Sequence, residues 1–459
     1  MCSSMNVHLS HWFEENKDKV SDLALKVWAN AEPLFEEYYA CEQTASFMRE
    51  QGFEVETFHI LGGGRRPDAV VATWGTGKPV IGFYGEYDAL PDHGQEAVPY
   101  YAPIKGKCGH GCGHNLINIS GASAAAALKA AMEAEGLKGT VKYMACPAEE
   151  GGNGKMHMAR RGVFDDLDCC FGWHPQPGVN LRIKEVIMNT GINMKVEFFG
   201  RRAHVSAAPQ NGRSSLDAIE LTNIAVNYLR EHIPSECRIF YNYFSGATDP
   251  LPDYAAYEYY IRAIDVNNAN DLYHRLEKCI KGASLMTETT YKLTVQSVSY
   301  APLQIDDFNK LLGDAIMKLP PLTYTHEELK YAHELFRNVT GRDAKNDEEA
   351  IPSQFEAPAF IHNHVPNTTD VGWLARKIPT ARLMGLSMIG GTSMHSWACV
   401  ACTGHSIGVK GGIWAGMAMA QGGYDVLRHP ERISDWWDDL RKQTKNQTEF
   451  DFEIEEAKH

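Results

Sequence analysis

Four short apolar runs, Ala69–Thr73, Pro79–Tyr84, Gly139–Cys146 and Cys169–Trp173, punctuate the first third of the chain, with helical patterns around and between them. Residues 19–29 are amphipathic, Cys41–Gln51 closes a second helical pattern, and Ser120–Ala134 is Ala-rich. Uninterrupted apolar strands of this kind are buried on both faces, so strand–helix–strand repetition predicts an α/β domain with a mostly parallel sheet covered by helices.

The pattern changes near residue 190. Ile192, Met194, Val196 and Phe198 alternate with polar neighbours, as in a half-exposed strand. Ser215–Arg230 and Asn268–Ala283 are helical, while Ala255–Ile264 and Tyr291–Ser297 are strand-like. Two helices on one face of an antiparallel sheet form a compact α+β module. After about residue 304 the α/β character returns, with helical Glu327–Thr340 and strand-like Thr380–Leu386. The simplest parse places a catalytic domain in 1–190 and 304–459, with a smaller domain inserted at 191–303. The charged tail from about Asp435 reads as a helix with a frayed end.

Composition narrows the function classes. A hydrophobic fraction of 44% over 459 residues excludes wholesale disorder. The net charge of −14, with Lys and Arg scattered, disfavours nucleic-acid binding. Apolar stretches such as Ala122–Leu128 fall short of the roughly 18–20 residues a membrane span needs. Met1–His8 carries no basic segment followed by an apolar core, so secretion is not expected. Eleven cysteines then read as reduced thiols of a cytoplasmic protein, with a metal ligand among them.

In open parallel sheets, sites form beyond the carboxyl ends of the strands. Asp88, Glu149-Glu150 and His174 each follow an apolar run, and Cys112-Gly113-His114-Asn115 opens the Ala-rich helix. Cys-x-His presents a thiolate and an imidazole together, and with carboxylates it suits zinc, cobalt or manganese. Two adjacent glutamates diverge too far to bind one ion easily. One as ligand and the other as proton acceptor is the better division of labour.

Other patterns carry less. His362-Asn363-His364 lacks a second half and reads as a loop pair. Cys399 and Cys402 could join Cys108 and Cys112 in a structural zinc site only by consuming Cys112. Gly62-Gly63-Gly64 lacks the following Lys-Ser/Thr of a phosphate loop and reads as a turn. His157 reads as a surface residue, and Trp436-Trp437 as cover for the core or a subunit surface.

With these residues assembled, the chain resembles the dinuclear-metal amidohydrolase and peptidase superfamily that contains aminoacylase and carboxypeptidase G. Within it the chain is similar to the amidohydrolase branch of the plant auxin-conjugate hydrolases, and most of all to the aminobenzoyl-glutamate type. The segments that carry the likeness run in order: Gly85–Pro91, Gly109–Leu116, Pro147–Gly152, Trp173–Pro175, Arg202–His204, Thr369–Gly372 and His395–Trp397.

That resemblance implies specific roles. Cys112, His114, Glu150, His174 and His395 would ligate two divalent ions, zinc or manganese with cobalt or nickel as in vitro substitutes, and Cys112 would lie between them. Glu149 would be the general base, Asp88 would orient a ligand histidine, and the insertion would be a lid and dimerisation domain. His204 on it would reach the substrate oxyanion, in the partner subunit's site of a homodimer. Arg262, on a lid strand, could hold a substrate carboxylate, with a surface-strand arginine as the equal alternative.

The implied activity is metal-dependent hydrolysis of N-acyl or N-aroyl amino acids. A dipeptidase or aminoacylase without aryl preference, or a metal-binding partner of a related second subunit, are the alternatives. Two features depart from relatives. Asp249 stands where an Asn is common, and an ionised Asp cannot donate to an oxyanion. The stretch between Pro91 and Cys112 is also longer than in the plant enzymes and could shape the acyl pocket.

Overall fold

The computed structural model describes residues 4–177, 179–181, 188–246, 250–352, 367–445 and 447–454. Asp249 and the His362/His364 pair lie outside the described residues. The chain divides into two compact units. The first holds Met1–Glu185, Leu303–His362 and Leu374–Gln443; the second holds Val186–Pro302, Asn363–Trp373 and Thr444–His459.

The described strands are β1 (Glu54–Phe58), β2 (Ala69–Thr76), β3 (Val80–Glu86), β4 (Gly139–Cys146), β5 (Cys169–His174), β6 (Val179–Leu181), β7 (Thr190–Phe199), β8 (Arg238–Gly246), β9 (Tyr254–Ala263), β10 (Thr290–Ser299) and β11 (Thr380–Gly385). The first unit carries one sheet in the order β1-β2-β4-β3-β5-β11-β6. Its central strands β4, β3, β5 and β11 are mutually parallel, and the outer pairs are antiparallel. The expected α/β class and parallel centre are therefore present. All seven residues of β3 are buried, which is why its sequence shows no alternation.

The helix His114–Glu135 is buried along its whole length from His114 to Leu128, and its small residues allow that close packing. An aromatic ladder crosses the core: Phe83 on Phe171 at 5.5 Å, Phe171 on Phe308 at 4.9 Å, and Phe308 on Trp436 at 4.1 Å. Trp436 thus covers the core, and truncating so large a buried ring costs about 3–5 kcal/mol.

The second unit is an antiparallel sheet in the order β10-β7-β9-β8. Ile192, Met194, Val196 and Phe198 on β7 form its core with the helices Ser215–Leu229 and Val266–Thr287, which matches the predicted alternation. Among the described residues no helix is long and apolar enough to cross a membrane.

Candidate metal centre

The parallel centre of the first sheet places three strand ends side by side. Asp88 follows β3, Glu149 and Glu150 follow β4, and His174 ends β5. The fourth contribution is the start of the helix His114–Glu135. Its cap, Gly113, is left-handed at φ 75°, and a Cβ there would come within 2.9 Å of Pro175 and 3.0 Å of Thr403. Only glycine fits, and it lets Cys112 and His114 bracket one sharp turn.

The loop after β4 is equally constrained. Ala148 and Asn153 are left-handed, at φ 55° and 52°, and a Cβ on Gly154 would lie 1.7 Å from the Pro147 carbonyl. His395, from a late segment, is also left-handed, at φ 57°, and its N–H donates to the Gly111 carbonyl at 2.8 Å. Non-glycine residues in that region cost about 1–3 kcal/mol each and cluster where side chains must be aimed.

The side chains converge. His114 Nδ1 lies 2.8 Å from Asp88 Oδ1, and Asp88 Oδ2 accepts the Glu150 N–H at 2.8 Å. His114 Nε2 points toward Glu86 at 3.5 Å and Glu149 at 3.9 Å. His395 Nε2 is 2.9 Å from Cys112 Sγ and 3.4 Å from Glu150 Oε1. His174 donates from Nδ1 to the Pro175 carbonyl at 2.8 Å, which leaves the Nε2 lone pair for a ligand. Within the first unit, three groups of donors each fall within 4.8 Å of one another: Cys112/His114/His174, Cys112/Glu150/His395 and His114/Glu149/Glu150. Cys112 belongs to two of them.

Several observations test whether divalent ions fit. His114 Nε2 is buried and has no hydrogen-bond partner among the described residues, a costly state for a ring nitrogen unless something cationic or donating meets it. Burial opposes charge on His114, yet Asp88 and then Glu86 raise its pKa well above the ordinary value, so the position attracts positive charge. The Cys112 thiol is pushed well up by burial and then by Glu150, so ionising it requires an adjacent cation. Burial, with Arg382 nearby, lowers the His174 pKa to about 3 and keeps it a neutral ligand. Sulfur, nitrogen and carboxylate donors together suit a borderline-soft divalent ion. The residues fit the group.

Seven of the expected residues, Asp88, Cys112, His114, Glu149, Glu150, His174 and His395, thus meet in the first unit. His204 and Arg262 belong to the second. His204 is exposed, and its Nδ1 accepts the N–H groups of Ser206 at 3.3 Å and Ala207 at 3.1 Å. That pattern puts the proton on Nε2, making the outer edge of the ring a donor. Arg262 is half-buried on β9, and its Nη1 donates to Asn193 Oδ1 at 3.0 Å and the Ile261 carbonyl at 2.9 Å.

Other expectations resolve plainly. His157 is buried rather than on the surface, its ring packing edge-on to Phe35 at 6.3 Å, because the short helix Gly154–Arg160 turns back onto the core. Cys399 and Cys402 are buried free thiols, and no donor group among the described residues includes them or Cys108. Gly62, Gly63 and Gly64 form a left-handed turn. Sequence reasoning gave no role to Glu86, whose Oε1 pairs with buried Lys155 at 2.5 Å. Burial raises the Glu86 pKa, but Lys155 and then His114 outweigh it and hold it below the usual range.

Residues 82–398 match the peptidase family M20/M25/M40. The chain is 33% identical to a p-aminobenzoyl-glutamate hydrolase subunit of Escherichia coli, over 89% of each chain. It is 28% identical to Xaa-Arg dipeptidase of Mus musculus, over 62% of this chain and 65% of that protein. A dinuclear metal-binding peptidase of the M20 family from Bacillus subtilis shares its fold, with a TM-score of 0.60, 18% identity, and coverage of 90% of this chain and 99% of that one.

Proposed function

The chain belongs to the peptidase family M20/M25/M40 and is a metal-dependent amidohydrolase, and from that premise we propose that it hydrolyses N-acyl or N-aroyl amino acids of the aminobenzoyl-glutamate kind. The observation that carries this reading is Cys112, which shares one donor group with His114 and His174 and another with Glu150 and His395. Two divalent ions held by these five residues, zinc or manganese, would lower the pKa of a water to about 7 and polarise the scissile carbonyl.

The chain's own residues do the rest. Glu149 shares a donor group with His114 and Glu150 but stands outside the five-ligand set, and its carboxylate takes the water's proton and returns it to the leaving nitrogen. Asp88 holds His114 by Nδ1, so that Nε2 is the nitrogen that would hold an ion, and through Oδ2 it fixes the backbone at Glu150. His204 donates from Nε2 to the tetrahedral oxyanion, an interaction worth roughly 3–4 kcal/mol in other hydrolases. Arg262 supplies a cation for the substrate carboxylate, although its Nη1 is already engaged by Asn193 and Ile261.

The second unit serves as lid and dimerisation domain, with His204 acting in the partner subunit's site. Supporting this, β8 is an edge strand bearing exposed Phe240 and Tyr243, and Ile224 and Tyr228 on the helix Ser215–Leu229 are exposed as well. The ten described cysteines are all free, which supports a reducing, cytoplasmic setting.

Dipeptide hydrolysis is the second reading, favoured by the likeness to Xaa-Arg dipeptidase. Action with a related second subunit is favoured by the likeness to a protein named as a hydrolase subunit. Turnover of N-aroyl glutamates, N-acetyl amino acids and dipeptides by the lone chain, under several metals, separates the three. Aroyl-glutamate turnover supports the proposal, dipeptide turnover alone supports the second reading, and metal binding without turnover supports the third.

A further inference from the structure

Glu37 is fully buried, yet it does none of the work expected where it stands. It precedes the helix Tyr38–Glu50 without capping it. The first amides of that helix are taken by Glu32, whose carboxylate accepts the N–H of Tyr39 at 2.9 Å and of Ala40 at 3.0 Å. Glu37 Oε1 instead accepts the N–H of Ala148 at 2.7 Å, across 111 residues of sequence. Its Oε2 has no hydrogen-bond partner among the described residues. An ionised carboxylate with a bare buried oxygen is costly, so the group is held neutral. Burial, and then the charge of Asp88, push its pKa well above the usual range.

The acceptor lies where backbone geometry matters most. Ala148 is itself fully buried and left-handed, and it immediately precedes Glu149 and Glu150. Without Glu37 its amide would be orphaned, and the turn would be free to relax toward the right-handed region, swinging both glutamates. The neighbouring residues brace the same turn. Phe35 is left-handed at φ 64°, and a Cβ on Gly152 would come within 2.7 Å of its ring. The Ala89 N–H donates to the Glu32 carbonyl at 2.8 Å, tying the Asp88 turn to this segment too.

We propose that Glu37 is a positioning residue for hydrolysis, its carboxyl holding the Ala148 peptide and thereby aiming Glu149 at the water and Glu150 at the metal. The inference rests on the assignment of Glu149 as proton carrier. Misplacing a reacting group by about 1 Å can cost on the order of 100-fold in rate, so loss of this one hydrogen bond reaches the chemistry without touching substrate.

The test compares Glu37→Gln, which keeps the acceptor oxygen, with Glu37→Met, which fills the space without one. The expected result is a kcat at least ~10-fold lower for Glu37→Met, with KM within about threefold, and near-native kcat for Glu37→Gln at a similar unfolding midpoint. Native kcat in Glu37→Met, or an equal loss in both variants, overturns the proposal. Glu149→Gln is the control: if it keeps full kcat, the proton-carrier assignment fails, independently of how the Glu37 variants behave. If Glu37→Met does not fold, amide exchange at Ala148 in the metal-free native protein and in Glu37→Gln decides. Slow exchange in both is expected, and fast exchange in either overturns the proposal.

Discussion

Asp88 grips both halves of the candidate site at once: Oδ1 meets His114 Nδ1 at 2.8 Å, and Oδ2 accepts the Glu150 amide at 2.8 Å. Asp88 is buried, and burial alone would raise its pKa. The charge and hydrogen bond of His114 outweigh that and hold the carboxyl below its usual range. Asp88→Asn offers one acceptor where the carboxylate offers two, so either the ring or the Glu150 backbone loses its restraint. The expected outcome is a 10- to 100-fold weaker affinity for divalent metal, read by competition with a chromogenic chelator, with the fold retained by circular dichroism. Unchanged affinity would remove Asp88 from the metal's support.

The adjacent glutamates separate by readout. Glu149→Gln is expected to keep its metal and lose several orders of magnitude in kcat, since only the proton carrier is gone. Glu150→Gln is expected to lose metal from one site by elemental analysis, because Glu150 Oε1 lies 3.4 Å from His395 Nε2 in the Cys112/Glu150/His395 group. Identical behaviour of the two variants, or metal loss in Glu149→Gln, contradicts this division.

A buried histidine next to the site predicts an acid limb of stability. Burial, and then the neighbouring His114, lower the His110 pKa from 6.5 to about 4, and its Nδ1 has no partner among the described residues. The unfolded chain therefore binds the extra proton first. Stability is full above pH ~6.5 and falls as pH drops through ~4, by up to about 3 kcal/mol from this residue. Denaturant melts of the metal-free protein across that window should show the slope, and His110→Gln should flatten it. An equal slope in the variant contradicts the assignment.

Subunit sharing is testable by mixing. His204→Ala and Glu149→Gln homodimers should each be nearly inactive, whereas their heterodimer regains one native site. Verified heterodimers without recovered activity reject a His204 that acts in the partner subunit's site.

The residues of the candidate site are legible in the sequence because polar chemistry follows apolar runs. Asp88, the Glu149-Glu150 pair and His174 come immediately after or at the end of β3, β4 and β5, and the parallel pairing of those strands does the gathering. Three strands escaped sequence reading, among them β6, Val179–Leu181, which has only three residues. β1, Glu54–Phe58, is short and half charged, and β8, Arg238–Gly246, is an edge whose exposed Phe240 and Tyr243 blur its alternation. Glu37, Glu86 and Lys155 escaped as well. Each is an ionisable residue whose place is set by a partner remote in sequence, Ala148 for Glu37 and Lys155 for Glu86, and no local pattern marks such a pairing. His157 misled because it sits in a polar-looking helix whose seven residues are all buried except Arg160.

The most direct test of the central claim is a metal titration of the chelator-stripped protein, following hydrolysis of an N-aroyl glutamate against bound ion. No turnover is expected without metal, and activity is expected to saturate at two ions per chain, because the five donors form two groups joined at Cys112. Turnover that survives stripping, or that saturates at a single ion and is unchanged in Cys112→Ala, would contradict it.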